Sequence, residues 1–140
     1  ALNLLRLGSL TGRKDLSEHG EAIIAAFEGD LQRSPAVYTA MLAALDLALG
    51  PAAELVIAGE TCSDEIEKMV GTVFRGFHPK LTLLFHPAGS DKNEITAIAP
   101  FVASMSARGE ATAYLCRDRR CLPPVDTAAA LAKMIKEEKL

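Results

Sequence analysis

Two short, unbroken apolar runs flanking one helix-length amphipathic stretch limit the folds open to this chain. Glu54-Leu55-Val56-Ile57-Ala58-Gly59 and Leu81-Thr82-Leu83-Leu84-Phe85-His86 lack the apolar-polar alternation of a half-exposed strand, so each reads as a strand covered on both faces. Between them, Asp64 to Phe77 carries Ile66, Met69, Val70, Val73 and Phe74 on one side at helical spacing. Strand, helix and strand in this order make a βαβ unit, which sets the first two strands parallel. Thr112 to Cys116 reads as a third strand, reached through a short helix from Asp91 to Ala99 that runs into Pro100. A closing helix is expected from Asp126 to Lys139, with Asp126 as its cap and Lys136-Glu137-Glu138-Lys139 as a solvated end. The fold class is therefore α/β, with a small, three-stranded, mainly parallel sheet and flanking helices.

The first 50 residues differ in pattern. Leu2, Leu4, Leu5 and Leu7 give the last turns of a helix that stops at Ser9-Leu10-Thr11-Gly12. Leu16, Ile23, Ile24, Phe27 and Leu31 predict a second helix from about Lys14 to Gln32. Ser34-Pro35 is a start signal, since Ser can cap free N–H groups and Pro at the first helical position sacrifices none. The third helix then follows through Tyr38, Met41, Leu42, Leu45 and Leu49 to the stop at Gly50-Pro51. Two regions follow, a helical segment over 1–50 and an α/β unit over 51–140, with no low-complexity linker between them.

A length of 140 residues suits one compact domain, or a domain with part of a neighbour, and is enough to bury a real core. A formal charge of −3 argues against a nucleic-acid partner, because the single basic cluster, Arg117, Arg119 and Arg120, is too short to neutralise a run of phosphates. No apolar stretch approaches the roughly 20 residues of a membrane span, and the start lacks the basic-then-apolar order of a signal peptide. The expectation is a cytoplasmic protein with no membrane partner. Because the chain opens directly in a helical pattern without Met, it is also expected to be part of a longer polypeptide.

Chemistry concentrates near the third strand. Cys116 and Cys121 are separated by four residues, not by the two of a thioredoxin-type motif or a zinc knuckle. The pair can be read as a reversible disulfide, as two soft metal ligands, or as half-buried cysteines packed as small hydrophobes. Arg117, Arg119 and Arg120 would favour the thiolate by charge. In a parallel sheet Glu60, Cys62, His86 and Arg117 would share the carboxyl edge, where ligands of open α/β sheets collect. The bland alternatives are a structural strand-end His86 and ordinary solvent-exposed polarity. Gly59-Glu60-Thr61-Cys62-Ser63 lacks both G-x-G-x-x-G and a P-loop lysine, so Ser63 or Thr61 reads as a helix cap in place of a phosphate cradle. Neither a cofactor nor a metal is assigned, and no nucleophile–base pair stands out.

Specific blocks carry a family resemblance across nearly the whole chain. They are Asn3-Leu4-Leu5-Arg6-Leu7 with Leu10-Thr11-Gly12, Met41-Leu42 to Ala44-Leu45-Asp46, Ala48-Leu49-Gly50-Pro51, Val56-Ile57-Ala58-Gly59, Ala99-Pro100-Phe101-Val102, and Ala111-Thr112-Ala113-Tyr114-Leu115-Cys116 with Cys121 and Pro123-Pro124. In these the chain resembles the C-terminal part of the large proteins that join an N-terminal thioredoxin-like domain to an α/α toroid, the family of spermatogenesis-associated protein twenty and its bacterial relatives. Members are similar in keeping two cysteines at this spacing, although an aromatic or apolar residue commonly stands where this chain has Arg119 or Arg120.

The resemblance implies that the first 50 residues are final hairpin helices of a toroid, with the α/β unit appended. It also implies a partner, namely the rest of the same polypeptide. The toroid looks like those of sugar epimerases and glycosidases. Three functions stay open: a non-catalytic C-terminal structural module, a thiol-redox role for Cys116 and Cys121, and a carbohydrate-processing enzyme active only as the intact chain. Helix faces evolved to pack against absent neighbours should leave apolar surface and favour self-association.

Overall fold

The computed structural model describes residues 1–89, 94–117 and 120–138. They form two compact units, Ala1–Ala52 and Ala53–Leu140.

In the first unit, α1 (Leu2–Thr11) lies against α2 (Lys14–Ala26), and α4 (Thr39–Ala48) packs on both. Leu5, Ile24, Leu31, Ala44 and Leu47 form its core. Gly8 sits where a Cβ would overlap Ser17, so its lack of a side chain lets α1 and α2 approach closely. The Arg13 guanidinium beside Asp15 holds that carboxyl below its ordinary range, and Asp15 lies in the first turn of α2, where the helix dipole favours negative charge.

Two helical expectations need correction here. The helix read from Lys14 to Gln32 breaks at Phe27, whose φ of −97° and ψ of 7° end α2 and begin α3 (Glu28–Arg33). Its N–H bonds back to Ile24 O at 3.1 Å, a tighter reach than the helical one, while its own carbonyl accepts from Leu31 at 2.9 Å. The break brings the ring of Phe27 to 5.9 Å from that of Tyr38, a tertiary contact to which periodicity is blind. Ser34-Pro35 does not start a helix either. Ser34 ends α3 by donating to Asp30 O, and Val37 and Tyr38 donate to Ser34 O and Pro35 O. Pro fits the second position of a turn as well as the first of a helix, and regular bonding resumes only where Leu42 N–H meets Tyr38 O at 3.0 Å.

The second unit is a four-stranded sheet in the order β2-β1-β3-β4, comprising β1 (Ala53–Gly59), β2 (Leu81–Pro87), β3 (Ala111–Arg117) and β4 (Arg120–Cys121). Strands β1 and β2 are parallel, as the βαβ pattern predicts, with Leu55 beside Leu83. The third strand corrects the expected parallel sheet. β3 runs antiparallel to β1, with Glu54 opposite Cys116 and Gly59 opposite Ala111. The reason lies in the connection: β1 and β2 both finish at the Gly59–Pro87 end, and β3 begins at that same end beside Gly59. Pro100 ends the short helix α6 (Glu94–Ile98) and opens a 3₁₀ turn (Pro100–Ser104), so this connection contains no single long helix to carry the chain back along the sheet. The expected start of that helix at Asp91 lies outside the described residues.

Alternation along each strand assigns the two faces. Ala53, Leu55 and Ile57 of β1 with Ala111, Ala113 and Leu115 of β3 pack against Ile66, Met69 and Val73 of α5 (Asp64–Phe74) and Leu131 and Ile135 of α7 (Ala128–Glu137). The other face presents Val56, Ala58, Leu84, His86 and Thr112, all buried. Across it runs the segment that buries Ala99, Val102 and Met105, held by Tyr114 Oη donating to Ser106 O at 2.6 Å. Coverage of both faces explains why the strands read as continuous apolar runs.

Ser63 caps α5, accepting from Ile66 N–H at 3.3 Å. The cap of α7 is Thr127, which accepts from Ala130 N–H, and not Asp126. Asp126 is already engaged by the hydroxyl of Thr112 at 2.7 Å. Glu65 reaches over from α5 to accept from Ala128 N–H at 2.6 Å, which locks the two helices together at the start of α7. Lys139, the expected end of that helix, lies outside the described residues.

Leu131 is fully buried, whereas Phe77 is 87% exposed. Leu131→Ala is expected to destabilise by about 2–5 kcal/mol through the cavity it leaves, and Phe77→Ala by no more than about 0.5 kcal/mol. Chemical denaturation midpoints of the two variants check this contrast.

Candidate functional site

β3 ends at Arg117 and pairs antiparallel with β4, so that Cys116 stands directly opposite Cys121 and Arg117 opposite Arg120. Leu122 N–H donates to Leu115 O at 2.9 Å, which makes 115 and 122 a hydrogen-bonded rung. Cys116 and Cys121 therefore occupy the next, non-hydrogen-bonded rung, where facing side chains come closest. They form a disulfide, with Cα atoms 3.9 Å apart, inside the roughly 7 Å limit for bridging. Cys116 is buried at 3% exposure and Cys121 lies open to solvent.

Beyond the disulfide the edge continues irregularly. Val125 and Ala113 exchange two hydrogen bonds of 2.7 and 3.1 Å, so Pro123 and Pro124 together face only Tyr114. That is one residue too many, a bulge, and prolines without N–H groups are tolerated on such an edge. Arg108 N–H donates to Thr112 Oγ1, the Thr112 hydroxyl donates to Asp126, and Arg108 Nη2 donates to Pro124 O at 3.3 Å. No sequence pattern announces this network. Its only signal is a lone Thr between two alanines in a strand.

Arg117 points to the helical side, where its guanidinium donates to Glu138 O at 2.9 Å and to Glu138 Oε2 at 3.4 Å. A cation that satisfies the last carbonyls of α7 also complements the helix dipole. Leu115, Cys116, Arg117, Arg120, Leu122 and Glu138 border a concavity of about 500 Å³ there. Arg119, part of the basic cluster, lies outside the described residues.

Glu60, Cys62 and His86 occupy the opposite end of the sheet from Arg117, because β3 runs antiparallel to β1. Glu60 and Cys62 are exposed in a turn closed by Ser63 N–H on Glu60 O, with Cys62 at φ 68°. A Cβ at Gly59 would overlap the carbonyl of Glu110, so the chain passes closely there. His86 turns inward, its Nδ1 at 2.7 Å from Met105 O. Since a carbonyl only accepts, Nδ1 carries the proton. The expected strand-end set is thus split, with Arg117 near the cysteines and the rest at the far end. Among the described residues no group of three or more His, Cys, Asp or Glu side chains converges to hold a metal ion, and no helix is long and apolar enough to cross a membrane.

The paired cysteines, the Pro-Pro bulge and the buried β1 run belong to the blocks that carry the resemblance. This chain is similar to spermatogenesis-associated protein 20. Its human form is 26% identical over 136 residues, 96% of this chain and 17% of that protein. The rat and mouse forms are each 25% identical over 138 residues, 98% of this chain and again 17% of the relative. The chain therefore spans about one-sixth of the length of the curated relatives it matches. No family model matches the sequence, and no solved structure matches it.

Removing the Thr112 hydroxyl leaves Asp126 and Arg108 N–H without their shared partner, so Thr112→Val is expected to cost about 1–3 kcal/mol. Replacing both Cys116 and Cys121 by Ala removes a short closed loop, and the entropy it withholds from the unfolded chain predicts a loss of about 2 kcal/mol. Denaturant titration of each variant, the second against an oxidised reference, measures both.

Proposed function

We propose that this chain is a non-catalytic, C-terminal structural module of a much longer polypeptide, in which the first 50 residues finish an α/α toroid and the α/β unit is appended to it. The observation that carries the reading is the pattern of similarity: nearly all of this chain matches about one-sixth of its relatives. Polar groups near the strand ends are employed in holding structure. His86 bonds Met105 O, Arg117 bonds the end of α7, and Ser63 caps α5. A thioredoxin-like domain elsewhere in the polypeptide, a sugar-processing activity of the intact protein and a cytoplasmic location are parts of the same proposal.

The first unit supports it further. Ile24, Leu31, Leu42, Leu45 and Leu49 line a mainly apolar groove between α2, α3 and α4 that Glu21, Glu28 and Gln32 also border, and Leu49 and Val37 are about three-quarters exposed, at 76% and 75%. The reading assigns this groove to neighbouring helices of the same polypeptide. In their absence the isolated chain covers it by self-association.

Leu49→Glu alters that surface without touching the core. It is expected to abolish self-association of the isolated chain in sedimentation experiments, with an unchanged circular dichroism spectrum, and to lower the melting temperature of the full-length polypeptide by several degrees. A strictly monomeric parent chain together with an unaffected full-length variant would overturn the reading. Turnover of a sugar by the isolated chain would do so as well.

A further inference from the structure

The disulfide of the β3–β4 hairpin is asymmetric in a way that structural stapling alone does not require. Cys116 is held in a central strand at 3% exposure, while Cys121 is exposed on a two-residue edge strand. Thiol–disulfide exchange is an in-line displacement, and access decides which sulfur is attacked. Solvent reaches the Cys121 side. The departing sulfur would be that of Cys116, the buried member of the pair.

We propose that Cys116–Cys121 is a thiol–disulfide exchange site for a dithiol reductant, with Cys121 the attacked sulfur and Cys116 the leaving one. In the first step a thiolate of the reductant bonds to Cys121 Sγ, the Cys116–Cys121 bond breaks, and its electron pair leaves on Cys116 Sγ, which takes a proton from water. In the second step the reductant's other thiolate attacks the reductant's sulfur in the mixed disulfide and releases Cys121 as a thiolate, which likewise takes a proton from water. The balance is one protein disulfide reduced to two thiols and one dithiol oxidised to a disulfide. Reduction frees the edge at Cys121 while leaving Val125 paired with Ala113, because those two hydrogen bonds lie beyond the bulge.

The test uses the oxidised 140-residue chain carrying Cys62→Ser, since Cys62 is an exposed free thiol that would compete. Dithiothreitol should reduce the disulfide under native conditions well ahead of global unfolding. Glutathione should give a mixed disulfide that maps by mass spectrometry to Cys121 over Cys116 by about tenfold or more. Amide exchange should rise at Leu122 on reduction and stay unchanged at Ala113 and Val125. Reduction that proceeds only at the global unfolding rate overturns the proposal, as does a mixed disulfide that forms on Cys116 as much as on Cys121 or more. Single-cysteine chains give an independent measure: iodoacetamide should label Cys121 in Cys116→Ala at least about tenfold faster than Cys116 in Cys121→Ala, and equal rates would also overturn it.

Discussion

The pairing of β1 with β3 is the constraint on which the rest of the α/β unit depends. Leu55, Val56 and Ile57 are excluded from solvent on both faces of β1, and they are paired on one side with a parallel strand and on the other with an antiparallel one. A register slip of one residue on β3 would exchange Ala113 and Leu115, which face α5 and α7, for Thr112 and Tyr114, which bond to the opposite layer. Burial on both sides thus fixes the register. That register sets Cys116 beside Glu54 and so separates the cysteine pair from Glu60 and Cys62 by the length of the sheet.

An edge strand invites unwanted pairing, and β4 is managed by several devices acting together. It pairs regularly over only two residues. The Pro-Pro bulge then withholds two N–H groups, and the disulfide ties the exposed end to a buried strand. Thr112, Asp126 and Arg108 fix the far side of the bulge, and from there Thr127 and Glu65 start α7. The end of that helix returns to Arg117 at the hairpin. Hairpin, bulge and helix therefore form a closed circuit along the chain, so a change at the disulfide acts on a segment braced at several other points.

Much of this was legible in the sequence where a single local pattern decides the outcome. Continuous apolar runs mark β1 and β2, the helical stripe marks α5, and Ser63 ahead of that stripe marks the cap that Ile66 N–H bonds. What escaped depends on groups distant in sequence. The direction of β3 is set by the end of the sheet at which the connection returns, which Pro100 influences but no periodicity records. Asp126 and Thr127 are both good caps, and the choice between them is made by Thr112, fourteen positions upstream. The break at Phe27 is accompanied by its contact with Tyr38, and Ser34-Pro35 is equally compatible with a turn and a helix start. The spacing of Cys116 and Cys121 permitted a bridge without requiring one, because the strand β4 that aligns them is too short to leave a signal of its own.

The helical unit raises a different question of sufficiency. Its core of Leu5, Ile24, Leu31, Ala44 and Leu47 serves 52 residues, and domains of that size bury a modest fraction of their surface and are marginal without reinforcement. The unit has no disulfide, and Leu7, Phe27, Val37 and Leu49 keep substantial apolar area in water. Each of those exposures is ordinary singly, but the groove formed by Ile24, Leu31, Leu42, Leu45 and Leu49 gathers apolar surface on one side, next to the core. A hydrophobic face left beside a small core is understandable if the missing stabilisation comes from outside the segment. The relatives are about six times as long as the stretch they share with this chain, and the structural-module reading proposed above rests on the helical unit as much as on the sheet.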